Sequence, residues 1–372
     1  MYINMARRII KIILIPSITA IMMFLTTPSS EESLQKFSLL FIGDILLANE
    51  AEQYILTQGI GYPFKKIKNE LLKYDYVIGN MEAPITTRGT AYTNKAYSFR
   101  LNPSSALSLK DLKLDAVSIS NNHLMDYGKV GMEDTIDCLN SLDIQHTGGG
   151  KNLFDARRPA LLKCGNVPIC ILAYCDRPPV DYYASDSRSG ISHLNLEHVK
   201  DDIATWKTRH NIVIISLHWG IEQTHEPQWD QVEMAHKIID AGADGIIGHH
   251  PHWPQGIEIY RNKPVVYSLG NFINGYTNPI ERDNMVIALY YSGNTLERIK
   301  IIPVAGQNKK IKFQPHVLDG PDATAVLQVV QYLSNKMKTQ FEITGNYGLI
   351  QLNRNDIKIG EKDEPAIKLK SN

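Results

Sequence analysis

From residue 38 onward, short apolar runs alternate with segments of helical spacing. The run SLLFI (38–42) predicts a strand; after a polar turn, PFKKIKNELLKY carries the spacing of a helix. DYVIG (75–79) and DAVSIS (115–120) predict two further strands. KVGMEDTIDCLNSL predicts an amphipathic helix with Val130, Ile136 and Leu139 on one side. VPICILAY (167–174) follows Gly165-Asn166, a hairpin signal with Leu162 and Lys163 before it. The alternation resumes with NIVIISL (211–217), a helix over WDQVEMAHKIIDAG stopped at Gly242, and ADGIIG (243–248). Then the texture changes. GIEIY, PVVYSL, NMVIALYY and LERIKIIPV, broken by the turns RNK and SGN, alternate as antiparallel strands do. DATAVLQVVQYLSNKM (322–337) predicts a late helix, and YYASDSRSGISH (182–193) a long loop. No Pro/Gly/Ser linker divides this series, so the order predicts one α/β domain over 38–352, followed by a tail at 353–372.

Unusual polar residues stand where the strands end. SLLFIGD ends at Asp44, DYVIGNME at Asn80 and Glu82, and DAVSISNNH at Asn121, Asn122 and His123. NIVIISLHWG ends at His218, ADGIIGHHPH at His249, His250 and His252, and PVVYSLGN at Ser268 and Asn271. Singly, each has a bland explanation. Asp44 suits a helix N-cap or a turn, Asn121-Asn122 a turn, and His218 a hydrogen-bonded core histidine. Glu82 reads as a solvated loop acid, and Ser268 and Asn271 as loop residues that satisfy backbone groups. Together they point elsewhere, because ligands of α/β sheets gather beyond the carboxyl ends of the strands.

A carboxylate, an amide oxygen and several imidazoles suit a divalent transition metal, Mn, Fe or Zn, better than Mg or Ca. Such an ion acidifies a bound water and holds an anionic oxygen. His250 and His252, one residue apart in a chain expected to be extended and stiffened by Pro251, are placed to offer rings to neighbouring coordination positions. His249 is expected to orient a ligand through a hydrogen bond. His146, His193, His198, His210, His225, His236 and His316 lack this setting and are read as structural.

Composition narrows the class. The chain has 372 residues, 43% of them hydrophobic, with 39 basic and 39 acidic side chains. That supports a large core, and the even charge argues against a nucleic-acid partner, which needs a basic face. None of Cys138, Cys164, Cys170 and Cys175 forms a CxxC pair, so a thiolate metal site or redox motif is not expected. The first 30 residues differ from the rest: Arg7, Arg8 and Lys11 precede an apolar run at 12–25, and a polar stretch follows. This predicts a signal-anchor or a signal peptide, with the body of the protein outside the cytoplasm: at the extracytoplasmic side of the cell membrane, or secreted if the segment is cleaved.

The motifs FIGDILL, NMEAPIT, AYSFR, SISNNHLMDYG, GGGKNLFDARRP, LHWGIEQ, AHKIIDAGADGIIGHHPH and PVVYSLGNF, in this order, resemble the CapA family of bacterial poly-γ-glutamate capsule synthesis proteins, whose domain is similar to calcineurin-like metallophosphoesterases. The resemblance implies a two-sheet β-sandwich flanked by helices, and a centre holding one or two divalent ions. Residue by residue it implies Asp44, Asn122, His218, His250 and His252 as metal ligands and His123 as the catalytic histidine. Asn80, Asn121, His249, Ser268 and Asn271 are expected around them, orienting ligands or touching substrate. Two departures stand out. Leu46 occupies the place of the phosphoesterases' first histidine, and Asn80 that of their bridging aspartate, with Glu82 as the substitute carboxylate. The implied role is in synthesis or export of an anionic capsule polymer beside membrane-bound synthesis proteins, with a hydrolase-type site. A non-catalytic polymer-binding scaffold and a phosphoesterase for another cell-envelope substrate are the alternatives. No P-loop is present, so an ATP-using ligase is not expected.

Overall fold

The computed structural model describes residues 34–177, 179–210 and 212–352. The apolar segment and the tail expected at the two ends lie outside the described residues. Strand β1 (Lys36–Ile45) is buried along almost its whole length, as an apolar run sandwiched on both faces must be. It pairs in parallel with β2 (Tyr76–Met81), which pairs in parallel with β3 (Ala116–Ser118). On its other edge β1 pairs antiparallel with Asn284–Ser292, which continues through Thr295–Val304 to Tyr347–Gln351. These strands belong to a nine-stranded sheet.

A second sheet, of six strands, is built around β4 (Val167–Cys175), β5 (Ile212–His218) and β6 (Gly245–His249), all parallel. The expected hairpin through Gly165-Asn166 is present, joining Ala160–Cys164 to β4. The start of the stretch expected as purely antiparallel is mixed: Lys263–Val266 pairs antiparallel with Ile257–Tyr260 but parallel with β6. Finally β7 (Asn271–Ile273) adds in parallel to the end of β1.

Strand alternation divides the apolar side chains between three cores. Leu39 and Phe41 of β1 join Ile169 and Ile171 of β4, Ile212 and Ile214 of β5 and Ile247 of β6 in one cluster, which lies between the sheets. The alternate residues Leu40 and Ile42 face the opposite way, into a cluster with Met132 and Leu139 of the helix Gly128–Ser141. On the outside of the smaller sheet, Val213 and Ile215 meet Val199 and Ile203 of the helix Leu196–Lys207 and Ala235 and Ile238 of the helix Trp229–Asp240. The result is the α/β class expected, two main sheets with helices on their outer faces. Each fully buried Leu or Ile contributes about 1.5–3 kcal/mol, so rigidity concentrates along the strands whose ends matter below.

Two helices differ from the pattern read in the sequence. Residues taken as a polar turn form the helix Glu50–Gln58, whose only buried side chains are Ala51 and Ile55. The following stretch, expected to be helical, is mostly turn, with a short helix at Lys68–Leu71. The helix Leu196–Lys207 is signalled by Asn195, whose side chain accepts from the backbone N–H groups of Glu197 and His198. Among the described residues no helix is long and apolar enough to cross a membrane. The four cysteines are unpaired, Cys170 and Cys175 being buried.

Candidate metal centre

Strand register assembles two rows of polar side chains. In the larger sheet Asp44 lies opposite Asn80 on one side and Asn271 on the other. In the smaller sheet His218 lies opposite His249. Asp44, Asn80, His218 and His249 stand at or near the carboxyl ends of parallel strands and Asn271 opens β7, and the two rows meet where His249 Nδ1 approaches Asp44 Oδ1 at 3.0 Å. Asp44, Asn80, His249 and Asn271 each follow a glycine. At Gly43 an added Cβ would lie 2.0 Å from the Gly270 carbonyl oxygen, and at Gly248 1.9 Å from that of Tyr267. Only glycine lets the backbones come this close.

Around Glu82 the ligand-type atoms fall into two nests. In the first, His218 Nε2 lies 2.9 Å from Asn122 Oδ1, 3.1 Å from His250 Nδ1 and 3.6 Å from Glu82 Oε1. In the second, His252 Nδ1 lies 2.9 Å from Asn271 Oδ1, 3.6 Å from Asp44 Oδ2 and 3.9 Å from Glu82 Oε2. Glu82 therefore presents one oxygen to each nest. The surrounding bonds fix orientations: Asn80 Nδ2 donates to Asp44 Oδ1 at 2.9 Å, and the Asn121 amide donates to Asn80 Oδ1 at 3.2 Å and to the Met81 carbonyl at 2.8 Å.

The electrostatics call for a cation. Asp44 and Glu82 are 0% and 1% exposed. Burial, and then the charge of Asp44, push the Glu82 carboxyl well above its ordinary range. Burial opposes ionisation of Asp44 too, but its contacts with His249 and His252 hold it well below the usual carboxylate value. Burial and neighbouring imidazoles push His218 well down and His250 to about 3, leaving both neutral with lone pairs to offer. His252 resists burial: the Glu82 and Asp44 carboxylates draw it up to about 10. Most telling, neither Glu82 oxygen has a hydrogen-bond partner. An orphaned buried carboxylate costs several kcal/mol, a cost that a divalent ion held by these residues would remove. Three His/carboxylate groups with ligand atoms within 4.8 Å of one another occur here: Glu82, His218 and His250; Asp44, Glu82 and His252; Glu222, His250 and His252. The donor set fits the divalent ion expected.

Beside the nests stands His123, 6% exposed. Its Nδ1 lies 2.7 Å from Asp126 Oδ2, so the ring is oriented with Nε2 left over for chemistry. Asp126 is fully buried and also accepts from the Phe99 N–H at 2.7 Å and from Lys95 Nζ at 2.7 Å. Lys95 reaches the Asn122 carbonyl at 2.6 Å as well. Burial chiefly, opposed by Asp126 and assisted by Lys95 and His252, holds His123 below the usual histidine value. The Phe99 ring covers His123 at 4.4 Å between centroids, with Tyr276 beyond it at 5.6 Å.

The structure thus brings together Asp44, Asn80, Glu82, Asn121, Asn122, His123, His218, His249, His250, His252 and Asn271. Ser268 is set apart: its hydroxyl accepts from the Gly270 N–H at 3.1 Å, shaping the turn before Asn271. One expectation needs correction. The chain at His250 and His252 is not extended, because both residues take positive φ, 95° and 60°. Backbone in this region costs about 1–3 kcal/mol for a side chain other than glycine and is kept where surroundings force it. Here the His250 N–H donates to Asp44 Oδ2 at 3.2 Å, and the Pro251 carbonyl accepts from Gln223 N at 2.8 Å. Reading strand ends alone missed Lys95, Asp126 and Glu222. Asp126 was within reach, three residues after His123 in SISNNHLMD, whereas nothing in the sequence ties Lys95 to the site.

Residues 38–276 match the family described as bacterial capsule synthesis protein PGA_cap. The PGA biosynthesis protein CapA of Bacillus subtilis is 31% identical over 268 residues, covering 71% of this chain and 70% of that one. The capsule biosynthesis protein CapA of Bacillus anthracis is 26% identical over 301 residues, 78% of this chain and 73% of that one. Among solved structures, the NAD nucleotidase NadN of Haemophilus influenzae aligns with a TM-score of 0.42 at 15% identity, covering 80% of this chain but only 56% of that one. A 5'-nucleotidase precursor of Thermus thermophilus aligns with a TM-score of 0.44 at 10% identity, and this chain spans 59% of its length. By the span of the family match and the identity to the Bacillus subtilis protein, the chain belongs to the PGA_cap family of bacterial capsule synthesis proteins.

Proposed function

We propose that this protein is an extracytoplasmic component of capsule polymer synthesis or export that carries a metal-dependent hydrolase site of the metallophosphoesterase type. The observation that supports it most is Glu82, a buried carboxylate with both oxygens unpartnered, set between two nests of lone-pair donors. Asn122, His218 and His250 would hold an ion on one side, Asp44 and His252 on the other, with Glu82 shared. A bound divalent ion supplies positive charge that polarises an ester oxygen and acidifies water. The chain's own residues do the rest. Asp126 holds His123 by Nδ1, and His123 presents Nε2 to the reacting group. Its ring is neutral before substrate arrives; an anionic ester beside it raises its proton affinity, so that Nε2 takes up one proton from solvent as the ester binds, then gives that proton to the leaving oxygen and returns to the neutral form. Phe99 and Tyr276 shield this side from water. The N-terminal apolar segment would anchor the domain beside membrane-bound synthesis proteins, where an anionic polymer is made.

Elemental analysis of the purified full chain tests this reading. It requires stoichiometric Mn, Fe or Zn, and hydrolysis of bis-p-nitrophenyl phosphate that disappears in His123→Ala while the metal remains. Metal-loaded protein without hydrolysis would leave a binding scaffold instead; absence of metal removes the centre altogether.

A further inference from the structure

Glu222 has no place in the roles assigned above. It is exposed, on the segment 219–225 that follows β5. Yet a carboxylate oxygen of Glu222 lies within 4.8 Å of ligand nitrogens of His250 and His252. Its position is built by the backbone around it. Trp219 N donates to the His249 carbonyl at 3.1 Å, and Gln223 N to the Pro251 carbonyl at 2.8 Å. Gln255 Nε2 donates to the Thr224 carbonyl at 3.0 Å. Residues on both sides of Glu222 are therefore stitched to the histidine turn, and Gln223 takes a positive φ of 60° to do so.

A third carboxylate beside Asp44 and Glu82 is unfavourable unless positive charge is shared among them. The two nests also differ. The first offers Asn122, His218 and His250 besides Glu82, while the second offers Asp44 and His252 with only the Asn271 amide beside them. Exposure separates Glu222 from the other two acids, which are fixed in the core; a solvated side chain on a tethered loop can leave and return without disturbing the fold. We propose that Glu222 is an exchangeable third carboxylate of the cation centre, occupying a coordination position on the His250–His252 side at rest and yielding it to an oxygen of an anionic substrate. This rests on the reading of the site as a cation centre.

Calorimetric titration of the metal-free full chain with Mn2+, and separately with Zn2+, tests it in wild type, Glu222→Gln, Glu222→Asp and the control Glu226→Gln. Glu226 is a nearby exposed acid paired with Lys336. Glu222→Gln should bind the ion about 10- to 100-fold more weakly. Glu222→Asp, with its charge kept but its reach shortened, should recover little, and Glu226→Gln should match wild type. In the loaded protein, Glu222→Gln should bind inorganic phosphate more tightly than wild type, since no carboxylate has to be displaced. Equal metal affinity in wild type and Glu222→Gln overturns the proposal. So does full recovery in Glu222→Asp, which would reduce the effect to charge at a distance. If wild type itself binds neither ion, the cation centre falls, and this proposal with it.

Discussion

Replacing Glu82 by Gln should stabilise the metal-free protein and weaken the metal-loaded one, an unusual pair of signs for one conservative change. In the metal-free state the buried Glu82 carboxyl is pushed well above the ordinary value of 4.5. A group whose folded value is raised adds nothing unfavourable below its unfolded value. As pH rises from there, the fold loses about 1.4 kcal/mol per unit until the folded value is reached. At pH 7 the penalty has a ceiling of about 3 kcal/mol. Gln removes it and keeps the shape, but its buried amide hydrogens lack partners, which costs about 1–2 kcal/mol. The net gain is at most about 1–2 kcal/mol, a rise in Tm of up to roughly 2–4 °C for a domain this large.

With metal the order reverses. An ion at 100 times its Kd stabilises wild type by about 2.7 kcal/mol, and Glu82→Gln, deprived of the charge facing both nests, should gain little of it. Thermal unfolding followed by circular dichroism, in EDTA and in excess Mn2+, reads both signs. The advantage of the variant in EDTA should vanish near about pH 4 and widen toward neutrality. If Glu82→Gln is the less stable protein in EDTA at pH 7, Glu82 has partners that satisfy it and the central argument for a cation fails. An undiminished metal-induced rise in the variant would likewise remove Glu82 from the centre.

Three further outcomes follow from the geometry. His123→Ala should lower phosphodiester hydrolysis by about 10²–10⁴-fold with unchanged metal content by elemental analysis, since its ring bonds to Asp126 and not to the nests. Metal loading at pH 7 should release at least one proton, because His252, drawn up to about 10 by its carboxylate neighbours, must lose its proton to offer Nδ1; calorimetry in buffers of different ionisation enthalpy counts the release, and none would mean that His252 is not a ligand. Gly248→Ala should destabilise the fold by about 3 kcal/mol or more in urea unfolding, because its Cβ would meet the Tyr267 carbonyl at 1.9 Å. Gly79→Ala, facing the movable end of Ile45 at 2.9 Å, should be milder.

The strands were legible because their apolar runs are buried on both faces; β4 and β5 follow the runs almost residue for residue, while β1 extends past its run at both ends. The helix Glu50–Gln58 was hidden because a mere two of its side chains are buried, leaving little period to read. The site separates along the same line. Residues fixed by strand register, such as Asp44, Asn80 and His218, could be foreseen once the ends of parallel strands were taken as one rim. Lys95 and Glu222 reach the site from loops, where spacing along the chain carries no information about direction, whereas Asp126 is betrayed only by its place three residues after His123. The bend at His250–His252 was misread for a related reason: Pro251 constrains its own φ, but the positive φ values on either side arise from tertiary bonds to Asp44 and Gln223.

The division of ligands between the sheets has a mechanical consequence. Asp44, Glu82 and Asn271 come from the larger sheet or its strand ends, and His218, His250 and His252 from the smaller one or the turn that follows it. Direct bonds across this seam are polar: His249 to Asp44, the His250 N–H to the same carboxylate, His218 to Asn122 and His252 to Asn271. An ion in either nest would therefore link the layers at their carboxyl rim, where the apolar core between them gives out. A neutral Glu82 cannot make that link and an ionised one without a cation opposes it. The carboxylate whose burial looks costly in isolation is thus a point at which metal binding and protonation act on each other.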